Sequence, residues 1–206
     1  MKILIIGGGN MGQTFARSFI STHIVRPEQM IILEKSPEKA MELDGQKLGL
    51  LFGEPGAYIR DADLIILAVK PQDFGRLADS IRNYIDPQQV ILSIMAGVKT
   101  STIFERLGTS KIVRAMPNLP AQMGAGMTVF TSTTEVSRIE LVMVQNLINA
   151  TGKAIYVEQE EKIDAATAVS GSGPAYVFYF MQSLIEAAQQ MGFNQAEAEL
   201  LAYQTF

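Results

Sequence analysis

The sequence contains 206 residues, of which 48% are hydrophobic and 18% are charged, a composition typical of a globular protein with one large domain or one domain and a smaller one. Its formal net charge is -4 and it contains no block of like charge, so the phosphate backbone of a nucleic acid is a poor partner for it. The absence of cysteine excludes a disulfide framework and any metal site built on thiolates.

The first predicted strand, residues 2–6, leads directly into a glycine-rich turn and a helix. The turn reads Gly7-Gly8-Gly9-Asn10-Met11-Gly12 and fits the Gly-x-Gly-x-x-Gly pattern of dinucleotide sites, although glycine turns also open other α/β folds. In that pattern Gly7 permits the tight turn, Gly9 lets the pyrophosphate approach the backbone, and Gly12 lets helix and strand pack closely. The helix N-terminus offers free N–H groups to the phosphates. The predicted dinucleotide contacts are Gly7, Gly9, Asn10, Met11 and Gly12.

The second predicted strand, Met30–Leu33, ends at Glu34, which follows the last glycine of the turn by about 20 residues, as the dinucleotide pattern requires. A carboxylate at this point accepts hydrogen bonds from the adenosine ribose and favours NADH. Lys35 and Ser36 come next, and a cation beside a hydroxyl can instead hold the 2′-phosphate of NADPH. A solvated strand end is a third interpretation. The sequence predicts cofactor contacts from Glu34, Lys35 and Ser36 but leaves NADPH or NADH open.

Two further strands, residues 64–69 and 90–94, are apolar on both faces, as expected of buried parallel strands. Pro71 then begins a predicted helix that runs to about Tyr84. Because ligands of doubly wound sheets bind outside the carboxyl ends of the strands, we expect the loops after these strands to contact the cofactor. For Lys70 an ordinary surface lysine is an equal alternative. The predicted contacts are Ala68, Val69, Lys70, Pro71, Ala96 and Gly97.

The next predicted strand, residues 112–115, ends in the loop Arg114-Ala115-Met116-Pro117-Asn118-Leu119-Pro120. Its two prolines restrict the backbone, so the loop can present Asn118 to the substrate or to the nicotinamide amide, although an ordinary turn is equally possible. A strand at 127–130, a helix at 135–150 and a closing strand at 154–157 follow. This alternation predicts an α/β fold: an N-terminal doubly wound, Rossmann-type domain with a mostly parallel sheet over residues 1–158.

From residue 160 onward the sequence contains only helix-forming stretches, broken at residues 171–174 and at Gly192. We therefore predict a second, all-helical region over residues 159–206, with a turn at 170–174. The helix that follows this turn is apolar on more than one face, so it must be buried against another surface. The last helical pattern stops at Phe206 without a C-cap, so we expect this region to be incomplete.

No membrane or secretion segment is expected. The apolar residues after Lys2 are too few for the core of a signal peptide, which needs about 7–15. The longest apolar run, residues 175–181, is far shorter than the roughly 20 residues that span a bilayer. His23 is the only histidine, and without a second one it predicts neither a metal site nor a catalytic triad. We expect a cytoplasmic protein with no metal.

The most specific stretch is Ser170-Gly171-Ser172-Gly173-Pro174-Ala175-Tyr176, which is preceded by Asp164-Ala165. It resembles the pyrroline-5-carboxylate reductase family. Four other segments agree with that family in order and spacing, so the resemblance covers essentially the whole chain. These segments are the glycine-rich turn, residues 68–71, residues 96–98 and residues 116–120; Leu201-Ala202-x-Gln204-Thr205 agrees as well.

The resemblance implies an enzyme that transfers a hydride from NADPH or NADH to a cyclic imino acid, 1-pyrroline-5-carboxylate, to give L-proline. It also implies a homodimer or higher homo-oligomer joined through the C-terminal helices. A protonated imine is already a good hydride acceptor, so the protein acts mainly by positioning. Glu160 matches an acidic family position near the substrate, and we expect Glu160 and Lys70 as catalytic residues. For Glu160 the alternative is one of three neighbouring surface glutamates.

The chain departs from the family in three places. Pro55 stands where the family usually has an asparagine that contacts adenosine, and Glu34-Lys35-Ser36 replaces Asn-Arg-Ser. The family's Ser-Pro-Gly-Gly-Thr-Thr-like loop, which binds the substrate carboxylate, is not among these residues. Two alternative functions remain. The first is a β-hydroxyacid dehydrogenase relative. It is disfavoured because such enzymes carry a lysine as general acid on a helix of the second domain, and no lysine follows Lys162. The second, from a different functional class, is a nicotinamide-binding protein without catalysis.

Overall fold

The computed structural model describes residues 1–206 and contains one eight-stranded sheet, helices on both of its faces, and a helical region at the end of the chain. The strands are β1 (Ile3–Ile6), β2 (Met30–Leu33), β3 (Leu50–Phe52), β4 (Leu64–Leu67), β5 (Val90–Ser93), β6 (Ile112–Met116), β7 (Gly126–Ser132) and β8 (Gly152–Tyr156). The helices are α1 (Asn10–Ser21), α2 (Pro37–Asp44), α3 (Phe74–Ile81), α4 (Thr100–Leu107), α5 (Arg138–Asn149), α6 (Glu161–Ala166), α7 (Gly173–Gln190) and α8 (Gln195–Thr205).

The strands lie in the order β3-β2-β1-β4-β5-β6-β7-β8. Strands β1 to β6 are parallel, β7 runs antiparallel to β6, and β8 is parallel to β7. The chain leaves β1 in one direction towards β2 and returns to its other side at β4, so the strand order reverses between β1 and β4. In doubly wound sheets the ligand crevice opens at this reversal, outside the carboxyl ends of the strands. The predicted fold class is confirmed.

Alternating side chains of the strands form two separate cores, one on each face of the sheet. Ile3 and Ile5 pack with Phe15 and Phe19 of α1, whereas Leu4 and Ile6 pack on the face covered by α3 and α4. All four residues of β1 are at most 1% exposed. Burying each such aliphatic side chain stabilises the fold by roughly 1.5–3 kcal/mol relative to leaving it in water. The sheet is therefore held by contacts within this chain.

The helical region buries much less. A five-residue π-helical turn, Thr167–Gly171, joins α6 to α7, and α7 packs on α8 through a small core of Ile185, Ala198 and Ala202. Four aromatic side chains of α7 are more than half exposed; they are Tyr176, Phe178, Tyr179 and Phe180. No helix of the chain combines the length and apolar character needed to cross a bilayer.

Three details differ from the sequence-based expectation. Strand β3 and helix α4 had no predicted counterpart; β3 has only three residues, too few for a periodic pattern. The helix predicted from Pro71 to Tyr84 is divided, because α3 is flanked by single 3₁₀ turns at Pro71–Asp73 and Arg82–Tyr84. The turn predicted at residues 170–174 is instead the end of the π-helical turn, and Pro174 lies in the first turn of α7, where it sacrifices no helical hydrogen bond.

Candidate functional site

Three of the four glycines in the glycine-rich turn, Gly7, Gly12 and Gly9, have different steric surroundings. Gly7 has φ of +107° and a Cβ there would lie 2.7 Å from the carbonyl oxygen of Ala68. A Cβ on Gly12 would collide with the carbonyl oxygen of Gly7. In contrast, no atom lies within 4 Å of the Cβ position of Gly9. Gly7 and Gly12 therefore hold the turn against β1 and β4, and Gly9 leaves the backbone open to a ligand.

Helix α1 presents an uncapped N-terminus at this turn. Gly9 is its N-cap residue, no side chain caps it, and its first turn contains no acidic residue. A polar cleft of about 340 Å³ lies beside it. Free N–H groups and the helix dipole favour an anion here, so the turn fits the pyrophosphate of a dinucleotide. The cleft is lined by Gly8, Gly9, Asn10, Gln13, Thr14, Arg17, Lys39, Glu42 and Gln122.

Glu34 is buried at the end of β2 and braces the glycine-rich turn. Its side chain accepts a hydrogen bond from the N–H of Gly8 at 2.7 Å and another from the N–H of Ser36 at 2.8 Å, and the residue is 7% exposed. It is therefore not a solvated strand end. Bonds from backbone N–H groups to a carboxylate are among the stronger hydrogen bonds in proteins. The carboxylate keeps further lone pairs for a ribose hydroxyl.

The two residues after Glu34 also have partners within the chain. The ammonium group of Lys35 lies 3.3 Å from Oδ1 of Asp73, at the start of the segment that follows β4. The Ser36 hydroxyl accepts a hydrogen bond from the N–H of Lys39 and caps α2. A 2′-phosphate at this position would compete with Asp73 for Lys35. The charge at the end of β2 is thus divided between a buried carboxylate and a surface ion pair.

Pro55 lies in the loop after β3. In the sequence it falls between Phe52 and Tyr58, whose rings stack directly on each other. The rings of Phe52 and Tyr58 are 3.9 Å apart and nearly parallel. Burial, together with the charge of Glu54, raises the pKa of Tyr58 to about 12. The phenol therefore stays neutral over the whole physiological range, and it donates a hydrogen bond to the carbonyl oxygen of Glu54.

The loops after β4 and β5 lie at the same carboxyl edge of the sheet as the glycine-rich turn, and the loop after β4 lies against Gly7. The hydrogen bonds of the sheet continue past the strand ends. The N–H of Ala68 donates to the carbonyl oxygen of Ile6, and the N–H of Ile94 donates to the carbonyl oxygen of Leu67. Ala68 and Val69 are half-buried, whereas Lys70 and Pro71 are exposed. After β5, Ala96 and Gly97 are exposed, and Gly97 has φ of +71° with no atom near its Cβ position. The structure thus brings the predicted cofactor contacts of three strand ends to one edge.

Asn118 ties the loop after β6 to two other segments. Its Oδ1 accepts a hydrogen bond from the N–H of Met127 at 2.8 Å, and its Nδ2 donates to the carbonyl oxygen of Ser170 at 3.1 Å. In the same loop, the terminal carbon of Met116 would lie 2.9 Å from a Cβ on Gly171. The amide is therefore engaged between β7 and the π-helical turn, at the segment 170–176 that carried the family resemblance.

Sequence reasoning missed Arg114, a charged residue in the middle of β6 that is 1% exposed. Its Nη1 lies 3.1 Å from Glu160 and its Nη2 lies 2.5 Å from Asp164. Glu160 also accepts hydrogen bonds from the N–H and the hydroxyl of Thr100, both at 2.8 Å. A signal was present, since an arginine inside an apolar strand is almost never buried unless it is paired. Two carboxylates spaced four apart on one helix face could then supply the partners.

A second cleft, of about 380 Å³, opens at the opposite, amino edge of the sheet near Arg60, Asp86 and Glu140. Its buried amide, Gln89, donates to the carbonyl oxygens of Ile59 and Ala62. The buried amide nitrogen is therefore satisfied within the fold. This cleft lies away from the glycine-rich turn, and the candidate site is the carboxyl edge.

Comparison with known families links both parts of the chain to oxidoreductases. The family described as "Pyrroline-5-carboxylate reductase dimerisation" matches residues 160–206. The family described as "NADP oxidoreductase coenzyme F420-dependent" matches residues 2–97. The two matches therefore fall on the helical region and on the part of the sheet that contains the glycine-rich turn.

Individual proteins are similar over almost the entire chain. Pyrroline-5-carboxylate reductase 2 of Bacillus subtilis is 34% identical over 206 residues, covering 99% of this chain and 73% of the relative. The Aquifex aeolicus pyrroline-5-carboxylate reductase is 35% identical, covering 100% and 75%.

Solved structures of such reductases superpose on the chain as a whole. The Coxiella burnetii pyrroline-5-carboxylate reductase matches with a TM-score of 0.88 and 31% identity, covering 99% of this chain and 76% of its own. The Plasmodium falciparum pyrroline carboxylate reductase, solved with NADP bound, matches with a TM-score of 0.86 and 28% identity, covering 100% and 75%. The similarity thus extends across the sheet and the helices together.

Proposed function

This chain belongs to the pyrroline-5-carboxylate reductase family, and from that premise we propose that it reduces the imine of 1-pyrroline-5-carboxylate to L-proline. It is an oxidoreductase of the NADP-binding type, with NADPH or NADH as its reductant. The observation that carries the proposal is the open backbone at Gly9, at the uncapped N-terminus of α1. It lies in a chain that is 34% identical to a named reductase over 99% of its length.

The residues of the carboxyl edge divide the work of binding. We propose that the glycine-rich turn holds the pyrophosphate, that the segment after β2 contacts the adenosine ribose, and that residues 68–71 and 96–97 flank the nicotinamide. Ala68, Ala96 and Gly97 have a methyl side chain or none, so the ring can come close to the backbone at these three residues. When bound, the dinucleotide supplies the hydride that forms the new C–H bond at the imine carbon, while the C=N electron pair passes to the protonated nitrogen.

This chemistry asks little of the protein beyond alignment. A protonated imine already attracts a hydride, so holding the two reacting atoms in line removes much of the barrier. Asn118 is proposed to act at this point. Its amide joins the loop after β6 to Ser170, so it holds the loop on which substrate and nicotinamide meet.

Glu160 and Lys70 are the charged residues of the proposed site. Lys70 is exposed at the carboxyl end of β4, a position from which an ammonium group attracts an anionic ligand at this edge. Glu160 is held beside the loop after β5 by its two bonds to Thr100. Its negative charge favours the iminium form of the substrate, although Arg114 balances part of that charge.

We propose residues 1–158 as the dinucleotide-binding domain and residues 159–206 as a dimerisation and substrate region. The protein forms homo-oligomers, as the dimerisation family that matches residues 160–206 indicates. The exposed aromatic side chains of α7 support a homodimer or larger assembly built through these helices. Because the reaction draws on reduced dinucleotide and a free imino acid, we also propose that it takes place in the cytoplasm.

The test is a direct assay with both reductants. Purified protein is mixed with the imine and with NADPH or NADH, and the loss of reduced nicotinamide is followed together with the appearance of proline. We expect imine-dependent oxidation with one proline formed per hydride transferred. Dinucleotide binding without imine-dependent oxidation would favour a nicotinamide-binding protein that is not an enzyme. Oxidation of β-hydroxyacids with NADP or NAD, and no reduction of the imine, would favour a β-hydroxyacid dehydrogenase-like reductase.

A further inference from the structure

We infer that Arg114 is a positioning residue of the reductase, which holds the start of the helical region in register with the loop after β5. It acts through a set of contacts, here named the Arg114 clamp, formed by Arg114, Glu160, Asp164 and Thr100. The inference rests on the proposed reductase activity. It extends that proposal, because it assigns Glu160 to the geometry of the site as well as to its charge.

Arg114 is a buried charge whose hydrogen-bond partners, Glu160 and Asp164, both lie in the helical region. It lies in β6 opposite Ser93 of β5 and Thr131 of β7, and its guanidinium bonds only to Glu160 and Asp164, while its Nε has no partner. A buried charge must be paired, because desolvation strongly opposes it otherwise. The sheet therefore holds this arginine in place only while the segment 160–164 lies against it.

The clamp reaches the cofactor edge through Glu160. This carboxylate accepts two bonds from Thr100, the first residue of α4, just after the exposed loop that contains Ala96 and Gly97. One carboxylate thus joins the strand β6, the start of the helical region and the loop proposed to flank the nicotinamide. Movement of any one of these three would break bonds to the other two.

The far end of the same helical segment is fixed to the same strand end. Asn118 donates to the carbonyl oxygen of Ser170, and the terminal carbon of Met116 lies so close to Gly171 that a Cβ there would be 2.9 Å from it. The segment from Glu160 to Gly171 therefore lies across the carboxyl end of β6, attached at both ends. These two attachments hold the segment 160–171 in a fixed position relative to β6 and to the loop after β5. The Arg114 clamp is the attachment that involves charged groups.

Stability alone does not account for an ion pair at this place. Replacing a buried ion pair by apolar residues of similar volume is often neutral or stabilising. Two directed bonds from one planar guanidinium instead add a defined geometry. In catalysis by positioning, a shift of about 1 Å at the reacting atoms can lower the rate by about 100-fold.

The test compares two variants on the same strand segment. Arg114→Met removes the clamp. Lys111→Met removes a different ion pair, between Lys111 and Glu140 at 2.8 Å, which lies at the amino end of β6 and serves as the matched control. For Arg114→Met we expect kcat to fall by about 10- to 100-fold, with the Kd of NADPH within about twofold of wild type. The isotope effect with deuterated reductant should rise, since hydride transfer becomes slower. Lys111→Met should change none of the three.

Conservative and milder variants keep the test decisive. Arg114→Lys keeps the charge but not the two-bond geometry, so it should recover only part of kcat. Thr100→Val removes one hydrogen bond to Glu160 without leaving a buried charge. If Arg114→Met does not fold, Thr100→Val should still lower kcat by several-fold at unchanged NADPH affinity. Unchanged kcat in a folded Arg114→Met or in Thr100→Val would overturn the inference.

Hydrogen exchange gives a readout that does not depend on activity. In Arg114→Met, the amides of residues 96–100 and 170–173 should exchange faster together, whereas in Lys111→Met they should match wild type. Faster exchange at 170–173 alone would overturn the clamp. If the wild-type protein showed no imine-dependent oxidation, the proposed function would be wrong, while the exchange result would still decide whether the clamp couples the two segments.

Discussion

The sheet and helix α7 use apolar residues in opposite ways. In β1, β2, β4 and β5 every residue is buried, whereas of the 18 residues of α7 only Ile185 is buried. Both sequences are strongly apolar, so composition does not explain the difference. The sheet has helices of the same chain on both faces, and α7 has mainly α8.

This difference indicates where each half obtains its stability. The sheet completes its core within one chain, so we expect the edge proposed to bind the cofactor to form without a partner. An amphipathic or fully apolar helix must bury its surface against something, and contiguous exposed apolar patches of this kind mark interaction sites. We therefore expect the glycine-rich turn to depend on contacts inside the chain, and α7 to depend on a second copy of it.

The largest effect on stability is expected from Gly12→Ala, which adds one carbon to the glycine-rich turn of the sheet domain. In Gly12→Ala the new Cβ would collide with the carbonyl oxygen of Gly7, and backbone on both sides cannot move aside. We expect the free energy of unfolding to fall by about 3 kcal/mol or more, as measured by urea denaturation.

Gly9→Val is the matched control for this substitution. No atom lies within 4 Å of the Cβ position of Gly9, so this variant should fold with stability within about 0.5 kcal/mol of wild type. It should nevertheless lose NADPH and NADH binding, because its side chain occupies the approach of the pyrophosphate. Normal stability in Gly12→Ala, or normal cofactor affinity in Gly9→Val, would contradict the assignment of these glycines.

The next largest effect is expected on the association of two chains through helix α7. Phe178→Asp places a charge on the exposed face of α7, where Phe178 is 57% exposed. We expect association of two chains to weaken by about 2 kcal/mol or more, seen by light scattering over a range of protein concentrations. Met41→Asp is the control, since Met41 is 79% exposed on α2; an equal loss of association there would mean that charge in general, not α7, disfavours assembly.

A smaller effect is expected at the adenosine end of the site. Glu34→Gln keeps the shape of the side chain and removes its charge, so repulsion of a 2′-phosphate disappears. Because the amide NH2 cannot accept, this variant also gives up one of the two bonds from Gly8 and Ser36, so the preference is compared as a ratio of the two cofactors. The ratio of kcat/KM for NADPH over NADH should rise by about tenfold, which corresponds to about 1.4 kcal/mol. Glu38→Gln, an exposed residue in the first turn of α2, should leave this ratio unchanged. If Glu34→Gln also leaves it unchanged, Glu34 only braces Gly8.

The smallest effect is a pH-dependent one at the amino edge. Burial opposes ionisation of Glu140, but hydrogen bonds from Lys111 and Ser137 outweigh it, and the pKa of Glu140 is lowered. A carboxyl whose pKa is lower in the folded state stabilises the fold when ionised. That stability is fully present above the unfolded pKa of about 4.3 and is lost as the pH falls through the folded pKa.

The measurement is the unfolding free energy of Glu140→Gln against wild type across pH. We expect a loss of at most about 1 kcal/mol near neutral pH, the range of a partly exposed ion pair. The difference should begin to shrink as the pH falls below the unfolded pKa of about 4.3 and should vanish only below the lowered pKa of the folded state. Glu135→Gln, on an exposed side chain nearby, should show no such dependence. A loss that stays constant from neutral to acidic pH would mean that the amide disturbs packing rather than charge.

Local pattern was sufficient for most of the sheet and for the glycine-rich turn. The predicted strand Met30–Leu33 matches β2 residue for residue, because four consecutive apolar residues between polar ends have few alternatives to a buried parallel strand. Gly7 has a positive φ and Gly12 allows a close backbone approach, and the sequence could predict both features because the spacing of such glycines is itself a geometric requirement. Strand β3 was missed because its three residues are too few for a periodic pattern, whereas helix α4 was missed although Ile103 and Leu107, spaced four apart, mark its buried face.

The sequence by itself determined that the chain forms a parallel sheet with a dinucleotide turn, followed by helices, because burial and backbone freedom act on neighbouring residues. Only the tertiary structure decided which distant groups meet. Arg114 finds its carboxylates 46 and 50 positions away, Glu34 reaches back 26 positions to Gly8, and Asn118 reaches 52 positions to Ser170. These partners follow from the strand order and from the way the helical region lies across β6, and no local pattern contains that information.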